Sequence, residues 1–153
     1  MKKTGSGKNC ETKGTGESGV SVIVPVFNED ESIATTLKAI DECLIKTPIP
    51  FELIIVNDGS TDSTSIILHD LQLRFRNLVI IEHEENRGYG AALKTGIATS
   101  SFDKVLIIDA DQTYPIPEIP QLIRLSEDFD MVVGSRVGAE VHKSFFRRPA
   151  KFI

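Results

Sequence analysis

Short apolar runs alternate along this chain with longer amphipathic stretches. Residues 20–27, 51–56, 78–81, 104–108 and 130–133 are rich in Val and Ile and nearly all apolar. Runs of this length and composition predict strands buried on both faces. Between them, Ile33, Leu37, Ile40 and Leu44 recur at spacings of four, three and four, which lines one side of a helix. Strands alternating with helices predict a mostly parallel α/β sheet with helices on both faces, a Rossmann-like arrangement. Asn28-Glu-Asp-Glu31 and Ser60-Thr-Asp-Ser63 offer caps and first-turn acids for two of the helices. Gly88-Tyr-Gly-Ala-Ala-Leu-Lys-Thr-Gly96 suits a helix packed close to the sheet.

Residues 1–19 lack this periodicity, being rich in Gly, Lys, Ser and Thr, and are expected to form a disordered leader. Residues 20–135 then form the α/β domain, and 136–153 a basic segment leading into an acceptor half beyond a C-terminally truncated end. With 41% hydrophobic and 25% charged residues, the composition is that of an ordinary globular domain. The net charge of -5 is uneven: both ends are basic, leaving residues 20–135 at -11. An acidic centre argues against nucleic acid as a partner and suits recruitment of a divalent cation. Cys10 and Cys43 have no ligand spacing and read as free thiols. No apolar stretch approaches the roughly 20 residues needed to span a bilayer, so a cytoplasmic location is expected. The tail from Lys143 to Ile153 mixes phenylalanines with four basic residues, a composition suited to an anionic membrane surface or to a larger domain's core.

In an open parallel sheet, ligands bind beyond the carboxyl ends of the strands. Polar residues gather there: Phe27-Asn28-Glu29, Asn57-Asp58-Gly59-Ser60, Asn86-Arg87-Gly88 and Asp109-Ala-Asp111. Each has a local explanation, Asp58 as an Asx turn and Asn86 as a loop residue tolerating positive φ, for example. Together they suit a nucleotide, because carboxylates accept hydrogen bonds from bases and riboses. Asp109 and Asp111, one residue apart after an apolar run, can share a face and converge on a hard cation. His69, His83 and His142 are scattered and make no zinc site; Lys94 reads as a solvated lysine.

Val22-Ile-Val-Pro-Val-Phe-Asn-Glu29, Ile55-Val-Asn-Asp-Gly-Ser-Thr-Asp62, Asn86-Arg-Gly88, Asp109-Ala-Asp111 and Gly134-Ser-Arg136 resemble, in order and spacing, the motifs of family 2 glycosyltransferases. Within that family they look most like the dolichyl-phosphate and polyprenyl-phosphate sugar transferases, over residues 20–148. The resemblance implies a GT-A fold and a nucleoside-diphosphate sugar donor. It also implies a Mg²⁺ or Mn²⁺ ion, inversion at the anomeric carbon and a lipid-phosphate or other glycan acceptor, as in cell-envelope glycan synthesis. By position it places Pro25, Phe27 and Glu29 along the nucleoside and Val56 and Asp58 at the base and ribose. Asp109, Ala110 and Asp111 meet the diphosphate, with the two acids on the metal and Asp111 indispensable, and Arg136 faces the donor's charged side. Relatives often carry Tyr where this chain has Phe27, and Gln where it has Thr113, so Gln112 and Thr113 both stand as a third metal ligand. The full-length protein is then expected at the cytoplasmic face of a membrane, and this chain to bind nucleotide better than it transfers sugar. Two other readings stay open. Asp109-Ala-Asp111-Gln-Thr113 also matches the D-x-D-x-T motif of haloacid-dehalogenase-like phosphatases, with Asp109 as nucleophile. The chain also suits a noncatalytic nucleotide-binding module.

Overall fold

The computed structural model describes residues 17–135. They form, in order, β1 (Glu17–Val26), α1 (Ile33–Leu44), β2 (Phe51–Asn57), α2 (Thr64–Gln72), β3 (Leu78–Glu82), α3 (Tyr89–Thr99) and β4 (Phe102–Ile107). A 3-10 turn at Ile116–Glu118 leads into α4 (Ile119–Leu125). The four strands make one parallel sheet ordered β3-β2-β1-β4. Two compact units divide between Pro120 and Gln121, and the sheet lies wholly in the first.

The central strands β1 and β2 explain the apolar runs. Ile23, Ile54 and Val56 are fully buried, and so are Val22, Val24, Leu53 and Ile55, which alternate with them toward the other face. Ala92 of α3 packs on Ile54 and Val56, with Val79 and Ile81 beside them. A side chain at Gly96 would collide with Ile23, so α3 lies against β1 at glycine distance. The stripe Ile33, Leu37, Ile40 and Leu44 is buried along α1, as its spacing predicts.

Three expectations change. Residues 130–133 form no strand: Met131 and Val133 are 80% and 71% exposed, and an apolar run without a hydrogen-bonded neighbour gains nothing from extending. β4 is an edge strand, so its sides differ, and Val105 and Ile107 on one of them are 42% and 37% exposed. β1 begins at Glu17, inside the stretch assigned to the leader, because Glu17 pairs with Phe102 and the Gly19 N–H donates to Asp103 (3.1 Å). Residues 1–16 and the basic segment from Arg136 lie outside the described residues. Among the described residues, no helix is long and apolar enough to cross a membrane.

Gly59 marks where the carboxyl edge is tightest. Its φ is +70°, and an added Cβ would run into the backbone of Glu85 and Asn86. Gly59→Ala is therefore expected to lose about 1–3 kcal/mol of unfolding free energy. Gly90→Ala, on α3 with open space around it, is expected to gain about 0.5–1 kcal/mol. Urea denaturation of the two variants checks the contrast.

Candidate active site

Because all four strands run the same way, their carboxyl ends share one edge. The register aligns Val26 with Asn57 and Asn57 with Glu82, so the residues that follow emerge side by side. On the other flank the Ile108 N–H donates to the Ile23 carbonyl (3.1 Å), carrying Asp109 up beside Pro25. The result is an open cleft of about 360 Å³. It is lined by Pro25, Val26, Phe27, Glu29, Asp58, Asn86, Gly88, Tyr89, Ala92, Asp109, Ala110 and Asp111.

The β1–α1 and β2–α2 loops form one wall. Asn28 and Ser60 do not cap helices, which start later, at Ile33 and Thr64, with no acid in the first turn. They tie the two loops together instead. The Asn28 N–H donates to Ser60 Oγ (2.9 Å), Asn28 Oδ1 accepts from the Thr61 N–H (2.8 Å), and the Glu29 N–H donates to Thr64 Oγ1 (2.9 Å). Asn28 holds a left-handed φ of 55° to do so, a conformation asparagine tolerates better than most residues. Glu29 Oε2 accepts from the Ser32 hydroxyl (2.6 Å), leaving its carboxylate at the cleft wall. Phe27, 43% exposed, offers a flat apolar surface there.

Asp58, 3% exposed, is the most constrained acid. Its Oδ1 accepts from the Arg87 N–H (3.0 Å) and lies 2.6 Å from His83 Nδ1, while Oδ2 accepts from the Gly88 N–H (2.7 Å). Burial by itself would raise its pKa. The hydrogen bonds from His83, Arg87 and Gly88 outweigh it and hold the carboxyl below the usual aspartate range. A carboxylate has about four acceptor positions, so three protein partners leave one for a ligand.

The pair Asp109 and Asp111 is oriented differently from expectation. β4 ends at Ile107, so Asp109 and Asp111 stand on the following loop and strand alternation does not aim them. The buried Ala110 between them does: its carbonyl accepts a hydrogen bond from the buried Thr36 hydroxyl of α1 (2.8 Å). Gln112 then takes a φ of 60°, and the chain turns back so that the Thr113 N–H and hydroxyl both reach Asp111 Oδ1 (3.0 and 2.7 Å). Asp109 Oδ1 accepts from the Tyr89 hydroxyl (2.9 Å). Burial, the hydrogen bond to Asp109 and that residue's charge push the Tyr89 pKa up to about 12, which keeps it a donor at neutral pH. The unshared oxygens of Asp109 and Asp111 are hard donors that fit a divalent cation. Among the described residues, no three His, Cys, Asp or Glu side chains cluster as a metal site. The remaining ligands would come from substrate and water.

Pro25, Phe27, Glu29, Asp58, Asp109, Ala110 and Asp111 thus meet at one cleft, while Val56 is fully buried in the core behind it. Arg136 lies outside the described residues, and Lys94 is exposed and off the cleft wall. Tyr89, His83 and Thr36 are additions: each acts through a partner distant in sequence.

A parallel sheet with a nucleotide-sized cleft at its carboxyl edge and a paired-carboxylate loop after β4 has the GT-A architecture of sugar-nucleotide transferases. The family model for glycosyl transferase family 2 matches residues 21–152, and the chain belongs to that family. It is 35% identical over 135 residues to an undecaprenyl-phosphate 4-deoxy-4-formamido-L-arabinose transferase from Serratia proteamaculans, covering 88% of this chain and 41% of that protein. It is 34% identical over 134 residues to the bactoprenol glucosyl transferase of Shigella phage SfV, covering 87% and 44%. The chain therefore spans about two-fifths of the length of these relatives. Among solved structures, a mannosyltransferase from Pyrobaculum calidifontis in complex with GDP-Man and Mn²⁺ superposes with a TM-score of 0.56. Identity is 31%, over 65% of this chain and 29% of that one. Glucosyl-3-phosphoglycerate synthase from Mycobacterium tuberculosis, with Mn²⁺, UDP and glucosyl-3-phosphoglycerate, gives 0.57 at 29% identity, over 70% and 39%. The D-x-D-x-T phosphatase reading gives way to this family: the motif follows the fourth strand, where that chemistry uses the first.

The lowered pKa of Asp58 has a pH consequence. Its stabilisation is complete above the ordinary aspartate value of about 4 and is lost as the pH falls from there through the lowered folded value. Asp58→Asn is expected to cost about 2 kcal/mol at pH 7 and to flatten the acid side of the stability profile. Urea denaturation at neutral and acid pH measures both.

Proposed function

We propose that this cleft binds a nucleoside-diphosphate sugar together with a divalent cation and presents the sugar to a polyprenyl-phosphate acceptor, with inversion at the anomeric carbon. One observation carries the reading. Among the described residues the lining includes four carboxylates, from Glu29, Asp58, Asp109 and Asp111, and no Lys or Arg. A diphosphate brought among them would be repelled unless a cation came too. Asp109 and Asp111 are the residues to hold it. A bound Mg²⁺ or Mn²⁺ would stabilise the negative charge that develops on the departing diphosphate.

The remaining groups position the donor. Phe27 offers a face for the base, Pro25 and Glu29 continue that wall toward the nucleoside, and Asp58 offers its last acceptor position. Val56 supports the pocket from the core, and Ala110 sets the spacing of the two acids. Arg136 is a candidate for the donor's charged side. An oxygen of the acceptor phosphate attacks the anomeric carbon as the bond to the diphosphate oxygen breaks, so the acceptor supplies its own nucleophile. The mannosyltransferase with GDP-Man and Mn²⁺ and the undecaprenyl-phosphate transferase support donor, cation and acceptor by likeness. A lipid-phosphate acceptor would set the full-length protein at a membrane surface, with the basic segment 136–153 as the contact.

Calorimetry with UDP and GDP, with and without Mn²⁺, tests this. Binding of at least one is expected to require Mn²⁺, and an Asp109→Asn, Asp111→Asn double variant to lose at least about tenfold in affinity. Undiminished binding by the double variant overturns the metal assignment.

A further inference from the structure

His83 takes no part in the cleft wall, yet its side chain is only 5% exposed and both ring nitrogens are engaged. Nδ1 lies 2.6 Å from Asp58 Oδ1 and Nε2 lies 2.9 Å from Thr95 Oγ1. An aspartate that accepts two backbone N–H bonds carries a full charge. The Nδ1 contact to it is therefore a donated, charge-assisted bond, which fixes the ring's orientation. Thr95 and the Asp58-bound Gly88 sit at the middle and the N-cap of α3. His83 and Asp58, at the ends of adjacent strands, therefore grip one helix at two points.

That helix carries Tyr89 on its first turn, with its hydroxyl on Asp109. Gly88 makes the grip directional. With φ 88° and ψ 156° it occupies a region open essentially to glycine alone. A glycine there has no side chain to hold it, so its backbone bonds set its position. Its N–H donates to Asp58 and to Asn86 Oδ1 (3.0 Å), and its carbonyl, as cap of α3, accepts from the Ala91 and Ala92 N–H groups (2.9 and 3.2 Å).

We propose that His83 is a positioning residue for the cation site: through Asp58 and the start of α3 it sets Tyr89, and through Tyr89 the carboxylate of Asp109. The inference rests on the donor-and-cation reading for its binding readout, but the coupling itself is a property of the fold. It makes Thr95, His83, Asp58, Gly88, Tyr89 and Asp109 one line of contacts from the middle of α3 to the loop after β4.

The test uses the full chain and three variants. Thr95→Val keeps shape and removes one hydroxyl, His83→Leu removes both ring contacts, and His83→Asn keeps an amide donor toward Asp58. Metal-free ¹H–¹⁵N and aromatic NMR spectra are expected to shift at Arg87 and Gly88 and, beyond them, at Tyr89 and Asp109 in Thr95→Val and His83→Leu. The amide of Ser101, at the opposite edge of the sheet, is expected to stay in place. By calorimetry, His83→Leu is expected to lose about tenfold of the Mn²⁺-promoted gain in UDP or GDP affinity, and His83→Asn to recover most of it. A lowered melting temperature with Tyr89 and Asp109 signals and the Mn²⁺ gain unchanged would make His83 a purely structural residue and overturn the proposal. So would His83→Asn behaving as His83→Leu. If the unaltered chain binds neither nucleotide, the donor reading fails, and the spectra alone decide the coupling: unmoved Tyr89 and Asp109 signals overturn it. Should His83→Leu not fold, Thr95→Val decides by the same two readouts.

Discussion

Parallel pairing of β1 with both β2 and β4 is the constraint on which the rest depends. Each strand must cross back before pairing again, so helices cover the sheet and both faces of its centre are dry. That explains why Val22, Ile23, Val24, Leu53, Ile54 and Ile55 are all fully buried although side chains on a strand alternate in direction. It also forces four chain segments to leave the sheet at one edge, where their backbone groups lose ladder partners. The loops meet that demand by bonding to one another. Asn28, Glu29 and Asp30 bond to Ser60, Thr64 and Asp62, and Arg87 and Gly88 to Asp58.

The same convergence gathers like charges. Glu29, Asp58, Asp109 and Asp111 line one cleft, and each leans mainly on neutral donors: a serine, two backbone amides, a tyrosine and a threonine. Neutral donors stabilise a carboxylate without cancelling its field. The cleft therefore stays negative, a poor place for a diphosphate alone and a suitable one for a diphosphate with a divalent cation. Asp58 is the exception in kind. It is buried, held by three partners and able to offer one acceptor position, so it belongs as much to the frame as to the pocket.

Much of this was legible before the structure. Apolar runs separated by a 3.6-period stripe located β1, β2, β3, β4 and α1, and the carboxyl-edge rule picked out Phe27, Glu29, Asp58, Asp109 and Asp111. Residues 130–133 misled because composition reports burial potential, whereas a strand also needs a neighbouring edge. His83 was hidden for another reason. It stands 25 residues from Asp58, and only the register Asn57 to Glu82 makes the two neighbours. Tyr89 is 20 residues from Asp109 across a whole helix and strand. Nothing in a single sequence encodes which hydroxyl a helix start will aim across such a gap. Gln112 and Thr113 show a finer limit: the motif suggested either as a ligand, and the left-handed φ at Gln112 and the bond from the Thr113 hydroxyl to Asp111 could not be read from it.

On the proposed donor-and-cation reading, the cleft's chemistry would also bear on the kind of acceptor. Among the described residues its lining holds no His, Cys or Lys, so within that lining a proton could be taken only by a carboxylate. Asp58 has a lowered pKa and three protein partners, which makes it a weak base. Glu29 is engaged by the Ser32 hydroxyl (2.6 Å), and on the proposed reading Asp109 and Asp111 would hold the cation, where a carboxylate is a weaker base still. An alcohol acceptor would lack help in losing its proton. A phosphate monoester has none to lose at its attacking oxygen, and its negative charge is tolerable where a cation offsets the four carboxylates. A site that concentrates acids to hold a cation is thereby biased toward nucleophiles that arrive ionised. Among the described lining residues, the lack of a basic side chain and the presence of the paired aspartates would then be two consequences of one electrostatic arrangement.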